Sequence, residues 1–222
     1  IQETLEKQEQ LSKEVIQGGI WNHIIFAEHT PVYTYEPGKT PNERLFRSGD
    51  ASSLHAPLVA VHRGGSITYH GPGQLVCYFI FDLIKAGVSV FDLNAAIELS
   101  LIELLSSFHI TGMPKPAWLP DEASGVWVKG EDGVSRKIAS RGLSYKEVGA
   151  KGITRFGCAL NITTELSEFD PIFPCGLPIE MTSVKKEKGV SPDVLDTAYI
   201  FTEIFNRNFG LLTDSEEKRH PN

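Results

Sequence analysis

The segment Arg63-Gly64-Gly65-Ser66-Ile67-Thr68-Tyr69-His70-Gly71-Pro72-Gly73-Gln74 limits what this chain can fold into more than any other. Four glycines and a proline exclude a regular helix or strand along its whole length, since glycine loosens the backbone and proline removes a donor. Apolar runs flank it: Leu58–His62 and Leu75–Leu83 both read as buried strands. A glycine-rich loop between strands lets backbone approach a ligand closely, and Arg63, Thr68, Tyr69 and His70 set polar and aromatic groups beside it. A phosphate loop would need Lys followed by Ser or Thr at a helix mouth, whereas Gln74-Leu75 stand here.

Around this loop the chain alternates short strands and helices. Gln2–Gln17 is polar and helix-favouring, with Leu11 and Val15 on one face, and Gly18-Gly19 ends it. His23–Glu28 and Val32–Tyr35 read as strands, and Pro37–Ser53 as loop. Ser89 and Asp92 have capping-box spacing ahead of a helix whose stripe is Phe91, Ile97, Leu101, Leu104, Leu105 and Phe108. Gly125–Val128, Lys137–Tyr145 and Phe156–Ile162 read as strands. Ser191-Pro192 reads as a helix start, with Val194, Ala198, Phe201 and Phe205 on its buried face and a charged, frayed tail after Asp214. The expectation is a single α/β or α+β domain over residues 1–222, a central mixed sheet flanked by helices.

Charge and cysteine usage narrow the function. A net charge of -7 argues against a nucleic-acid binder. No apolar run approaches the length of a bilayer span. The first residues, scattered with Glu3, Glu6, Lys7 and Glu9, show no signal-peptide pattern. Three cysteines argue against a disulfide scaffold and for a reducing compartment. Cys77 lies in an apolar run and Cys158 in a strand, both fit for inert core positions. Cys175 differs, because Pro174 and Gly176 put it in a constrained turn, and a thiolate is a natural acceptor of an acyl group from a thioester. Lys137 opens a strand of apolar and small residues; a cation beside a cysteine would favour its thiolate. No His/Cys/Asp cluster has metal-ligand spacing.

These segments, taken in order, resemble the lipoyl(octanoyl) transferase family over nearly the whole chain. The resemblance rests on Glu28–Thr34, on Arg63–Gln74, on Gly125-Val126-Trp127, on Lys137-Ile138-Ala139, on Ala159-Leu160-Asn161 and on Pro174-Cys175-Gly176. It implies the fold of biotin and lipoate protein ligases. It also implies that Cys175 is the acyl-accepting nucleophile and Lys137 its cationic partner. Arg63, Gly64, Gly65, Ser66, Ile67, Thr68, Tyr69 and His70 would line the substrate pocket, with Ser140, Arg141, Gly142, Gly157, Cys158 and Ala159 as the other walls. The chain departs from the family at Phe156, where His is usual, at Cys158, where Phe is usual, and at Arg141, where the family has a small or aliphatic residue.

The implied reaction moves an octanoyl group from an acyl carrier protein to a lysine of a lipoyl domain, without nucleotide, metal or other cofactor. The implied acceptors are lipoyl domains of 2-oxoacid dehydrogenase complexes and the glycine cleavage H protein. The implied state is a monomer, in bacterial cytoplasm or the mitochondrial matrix. The rival readings are an ATP-dependent lipoate or biotin ligase and a non-catalytic module that binds the acyl carrier. Docking of an acidic carrier on an acidic chain would need a local basic face, drawn from Arg141, Lys146, Lys151, Arg155, Lys185, Lys186 and Lys188.

Overall fold

The run Leu75–Leu83 becomes the spine of the fold. In the computed structural model, which describes residues 1–19, 22–38 and 45–219, β5 (Gln74–Ile80) is buried at all seven positions. The strand stops there because Asp82 caps a short helix, α2 (Leu83–Ala86), its carboxylate accepting from Lys85 N at 3.3 Å.

The other strands assemble around β5. They are β1 (His23–Ala27), β2 (Val32–Tyr35), β3 (Leu58–Ala60), β4 (Thr68–His70), β6 (Gly112–Met113), β7 (Gly125–Lys129), β8 (Ser135–Arg141), β9 (Ser144–Val148), β10 (Lys151–Arg155) and β11 (Gly157–Asn161). The central sheet runs β1-β5-β11-β8-β7-β6, with β3-β2-β4 and β10-β9 as smaller sheets. Helices flank the central sheet as expected, but every pairing in it is antiparallel; the parallel pair, β2 with β3, lies in a smaller sheet. Lys137–Tyr145 is expected as one strand from its residue pattern. The chain instead breaks after Arg141, and β9 leaves to pair with β10.

Alternation along β5 and β11 sorts the core into two faces. Leu75, Cys77, Phe79, Cys158 and Leu160 pack beneath α3 (Val90–Ser107) and α5 (Val194–Arg219). Phe79, Phe81, Phe201, Phe205 and Phe209 stack or meet edge-on there, with centroids 5.0–6.4 Å apart. Each such ring contributes about 1.5–3 kcal/mol by burial. Val76, Tyr78, Ile80 and Ala159 face the other way, toward Leu11 and Val15 of α1 (Gln2–Ile16). A third cluster holds Tyr33, Ile67, Tyr69, Trp127, Phe169 and Ile172, joining the small β3-β2-β4 sheet to the turns around Cys175.

The helix ends follow local chemistry. Both halves of the Ser89/Asp92 capping box form. Phe91, expected in the core stripe, is instead 81 % exposed, because the stripe begins at Leu93. The last helix starts at Val194 and not at Ser191-Pro192, since Asp193 accepts from the amides of Leu195 and Asp196 at 2.8 and 3.1 Å and so takes the cap position. The helix continues past Asp214, where a frayed tail was expected, to Arg219. No helix among the described residues is long and apolar enough to cross a membrane.

Gly125 is the tightest point in the central sheet. Its φ is +139°, and an added Cβ would sit 2.1 Å from the Ala139 carbonyl oxygen. Gly125→Ala is expected to destabilise the protein by about 3 kcal/mol or more, since backbone on both sides must move. Urea unfolding checks this; a loss below about 1 kcal/mol would show that β7 and β8 separate easily.

Candidate active site

Cys175 occupies the turn its neighbours impose. Pro174–Gly176 forms one 3-10 turn in which Cys175 has φ 60° and ψ 17°, and Gly176 has φ 71°. Left-handed backbone costs a non-glycine residue roughly 1–2 kcal/mol. The surroundings hold it there: Cys175 N donates to the Ile67 carbonyl at 3.1 Å, which ties the turn to the glycine-rich loop.

Lys137 meets this turn from β8. Its side chain is 0 % exposed, with Nζ 3.0 Å from Cys175 Sγ and 5.6 Å from the Trp127 ring centroid. Its backbone is pinned on both sides, since Lys137 N donates to Glu180 O at 2.9 Å and Lys137 O accepts from Thr182 N at 2.9 Å. The segment following the Cys175 turn thus runs back along β8 and holds the pair together. A bulge in β8 aims the side chains: the register skips Ile138, and both Ile138 and Ala139 enter the main core. Lys137 can then face Cys175 while Ser140, three residues on, lines the neighbouring cleft.

That cleft is walled by the glycine-rich loop, β5, the end of β8 and the start of β11. Ser66, Thr68 and His70 line one wall, every second residue of the loop, while Ile67 and Tyr69 turn into the third core cluster. Arg63, Gly65, Ser140, Arg141, Gly142, Gly157, Cys158, Ala159 and Cys175 complete the expected set, with Ile67 touching it as well. Gly64 and Tyr69, expected to line it, do not. Gly64 N donates to Gly142 O at 3.3 Å and closes the loop onto the end of β8, and the Tyr69 ring packs on Tyr33 and Phe169. Val76, Cys77 and Tyr78, which the sequence pattern does not single out, also line the cleft, as does Phe156, the departure expected close to the pocket. Period-two alternation along Leu75–Phe81 would have flagged Val76 and Tyr78. Cys77 lies directly opposite Cys158 across the strands, and both side chains belong to the helix-facing core. Burial, then the adjacent Cys158, pushes the Cys77 thiol well up.

A hydrogen-bonded chain fixes the polar wall. Gln74 Nε2 donates to Asn161 Oδ1 at 2.9 Å and to Tyr69 O at 3.2 Å, which leaves Gln74 Oε1 to face His70 Nδ1 at 2.7 Å. His70 Nδ1 therefore carries the proton, and Nε2 offers a lone pair. Asn161 Nδ2 donates on to Thr182 O at 3.0 Å, which reaches the segment beside Lys137. Arg63 lies behind the loop, its Nη2 donating to Thr34 O at 2.8 Å and its Nη1 to Gly64 O at 2.8 Å. Burial pulls its guanidinium down to about 10, the nearby Cys175 opposing that shift, so Arg63 stays cationic near the sulfur. Residue 73 has to be glycine on two counts: its φ is 77°, and an added Cβ would lie 2.2 Å from Thr163 Oγ1.

Burial, then the Arg63 charge, drives His70 down to about 3, and burial drives His29, whose Nε2 meets Tyr78 OH at 2.7 Å, down to about 4. Both stay neutral when folded but protonate near 6.5 when unfolded. Their contribution is complete above pH 6.5 and is lost below it, as the unfolded chain takes up protons the folded chain refuses. Between pH 7.5 and 5.5 the two together are expected to cost about 2–3 kcal/mol of stability. Urea midpoints for wild type and His70→Gln check this: the variant should lose about half of the dependence, and equal slopes would contradict it.

The residues expected to form a basic face are carried on three elements. Lys146, Lys151 and Arg155 lie on the β9/β10 hairpin, while Lys185, Lys186 and Lys188 lie on α4 (Val184–Lys188). Lys151 is committed to Asp82 at 3.2 Å and Arg155 to Glu9 at 2.8 Å. Arg141, at the end of β8, contributes to the cleft instead.

The sequence profile described as Lipoyl protein ligase A/B catalytic domain matches residues 1–206. An octanoyltransferase of Bacteroides fragilis is 35% identical over 176 residues, 79% of this chain and 76% of that protein. One of Ectopseudomonas mendocina is 36% identical over 208 residues, 93% of this chain and 87% of that protein. One of Pseudomonas fluorescens is 42% identical over 156 residues, 70% of this chain and 63% of that protein. Among solved structures, a lipoate-protein ligase A bound with ATP superposes with TM-score 0.63 at 14% identity, covering 92% of this chain and 81% of that one. A bi-partite lipoate protein ligase from Thermoplasma acidophilum gives 0.59 at 13% identity, covering 92% and 79%. At such identities these two show a shared fold.

Proposed function

Because the chain belongs to the lipoyl protein ligase A/B catalytic domain family and is an acyltransferase, we propose that it carries an octanoyl group from an acyl carrier protein thioester to a lysine of a lipoyl domain, through an acyl-thioester on Cys175. The observation that carries this reading is the 3.0 Å approach of Lys137 Nζ to Cys175 Sγ at the edge of a cleft with one apolar and one polar wall. An ammonium donating to sulfur favours the thiolate, the reactive form.

The steps balance through this pair. The Cys175 thiolate attacks the thioester carbonyl, forming a carbon–sulfur bond while the carbonyl electron pair moves onto oxygen. Collapse restores the carbonyl and expels the carrier thiolate, which takes a proton from the Lys137 ammonium. The acceptor lysine, as free amine, then attacks the acyl-thioester and passes its surplus proton to the now neutral Lys137. Collapse forms the amide and returns Cys175 as thiolate beside an ammonium. The donor is already a thioester, so no nucleotide enters the scheme.

Octanoyl-acyl carrier protein and a lipoyl domain, mixed with the enzyme and no ATP, are expected to yield a lipoyl domain heavier by one octanoyl group. A strict requirement for ATP and free octanoate would overturn the reading in favour of a ligase.

A further inference from the structure

One polar atom of the cleft has no use in the fold itself. Ser66 is 3 % exposed and lines the cleft, yet its hydroxyl has no hydrogen-bond partner among the described residues. A buried hydroxyl left unpaired costs about 1–3 kcal/mol, and such a group is retained where something outside the fold completes it. Its place says what that is. The next residue, Ile67, receives the Cys175 amide at 3.1 Å, so Ser66 sits one peptide from the anchor of the nucleophile's turn. Ile67 packs into the third core cluster and touches the cleft only in passing to it, while Ser66 and Thr68 line the cleft without joining that cluster. The facing wall of Val76, Tyr78, Phe156 and Ala159 offers mainly hydrocarbon and aromatic surface.

A saturated acyl chain has a single polar atom that a hydroxyl near Cys175 can reach, the carbonyl oxygen. Resting on the reading above, we propose that Ser66 Oγ donates a hydrogen bond to that oxygen, both in the acyl-enzyme and as negative charge develops on it in each addition step. This is the oxyanion role, filled by a side chain with no hydrogen-bond partner of its own among the described residues.

The assignment makes stability and activity move in opposite directions. Ser66→Ala removes an unpaired buried hydroxyl, so its melting temperature is expected to equal or exceed that of wild type. Its kcat for octanoyl transfer should fall by about 10- to 100-fold with KM for the carrier little changed. Ser66→Thr, which keeps the hydroxyl, should recover most of the rate. The direct readout is the carbonyl stretch of the acyl-enzyme made with carbonyl-13C octanoyl carrier, read by isotope-edited infrared difference spectroscopy. Wild type and Ser66→Thr should show a lower frequency than Ser66→Ala. Equal frequencies would overturn the assignment, whatever the rates do. So would a Ser66→Ala enzyme within twofold of wild type, or one that melts several degrees lower. Wild type forming no acyl-enzyme at all would overturn the reading beneath it, and this assignment with it.

Discussion

Cys175→Ala is expected to reduce octanoyl transfer by at least about 10⁴-fold while leaving the fold intact. The loss is large because the sulfur is the proposed bond-forming atom in both half-reactions, and no other thiol can substitute. Cys77 and Cys158, although their strands border the cleft, turn their side chains into the core beneath α3 and α5, and burial keeps Cys77 protonated. The fold survives because Cys175 lies only at the margin of a core cluster, and the backbone bond from residue 175 to Ile67 O does not depend on the side chain. Steady-state transfer and a thermal melt check both halves: activity near background with a melting temperature within a few degrees of wild type. Residual activity above about one per cent would show that the acyl group does not need Cys175.

Lys137→Met is expected to separate chemistry from stability even more sharply. Lys137 is fully buried, with the Cys175 sulfur and the Trp127 face as the contacts of its ammonium, and among the described residues it pairs with no carboxylate. Methionine nearly matches its length and fills the same channel. Because a cysteine can be neutral as a thiol, the change leaves no charge that must stay buried without a partner, and stability should be unchanged or higher. The same change removes both the cation that favours the thiolate and the group that exchanges protons in each step, so transfer should fall by about 10²- to 10⁴-fold. Single-turnover acylation rates beside urea unfolding test the pair of outcomes. A stable, fully active Lys137→Met would reduce the lysine to a packing residue, and an unfolded one would make it structural.

The site was more legible in the sequence than the sheet that carries it. Pro174 and Gly176 announced a turn at Cys175, and the glycines of Arg63–Gln74 announced a loop, since both readings rest on residues with restricted or unusually free backbones. What brings Lys137 to Cys175, 38 residues away, left no such mark. It depends on a bulge at Ile138 and on the return of Glu180–Thr182 along β8, neither of which has a compositional signature; family resemblance supplied that pairing. The run Lys137–Tyr145 looked like one strand because apolar and β-favouring residues continue through it. The Gly142-Leu143 corner is held by a tertiary bond, Gly142 N to Gly157 O at 2.7 Å. At the last helix, Pro192 gave a plausible start, but the carboxylate of Asp193 reached two free amides and set the boundary. Phe156 marks a further limit. Its left-handed φ of 59° is held by Gln8 of α1, whose Oε1 accepts from Phe156 N at 2.7 Å, and no local pattern joins residues so far apart.

The measurement closest to the central claim is the intact mass of the protein after mixing with octanoyl-acyl carrier protein alone. Wild type is expected to gain one octanoyl group, to lose it to hydroxylamine, and to pass it to an added lipoyl domain, while Cys175→Ala gains nothing. An unmodified wild type that still acylates the lipoyl domain, or a Cys175→Ala protein that still takes up the group, would contradict the account.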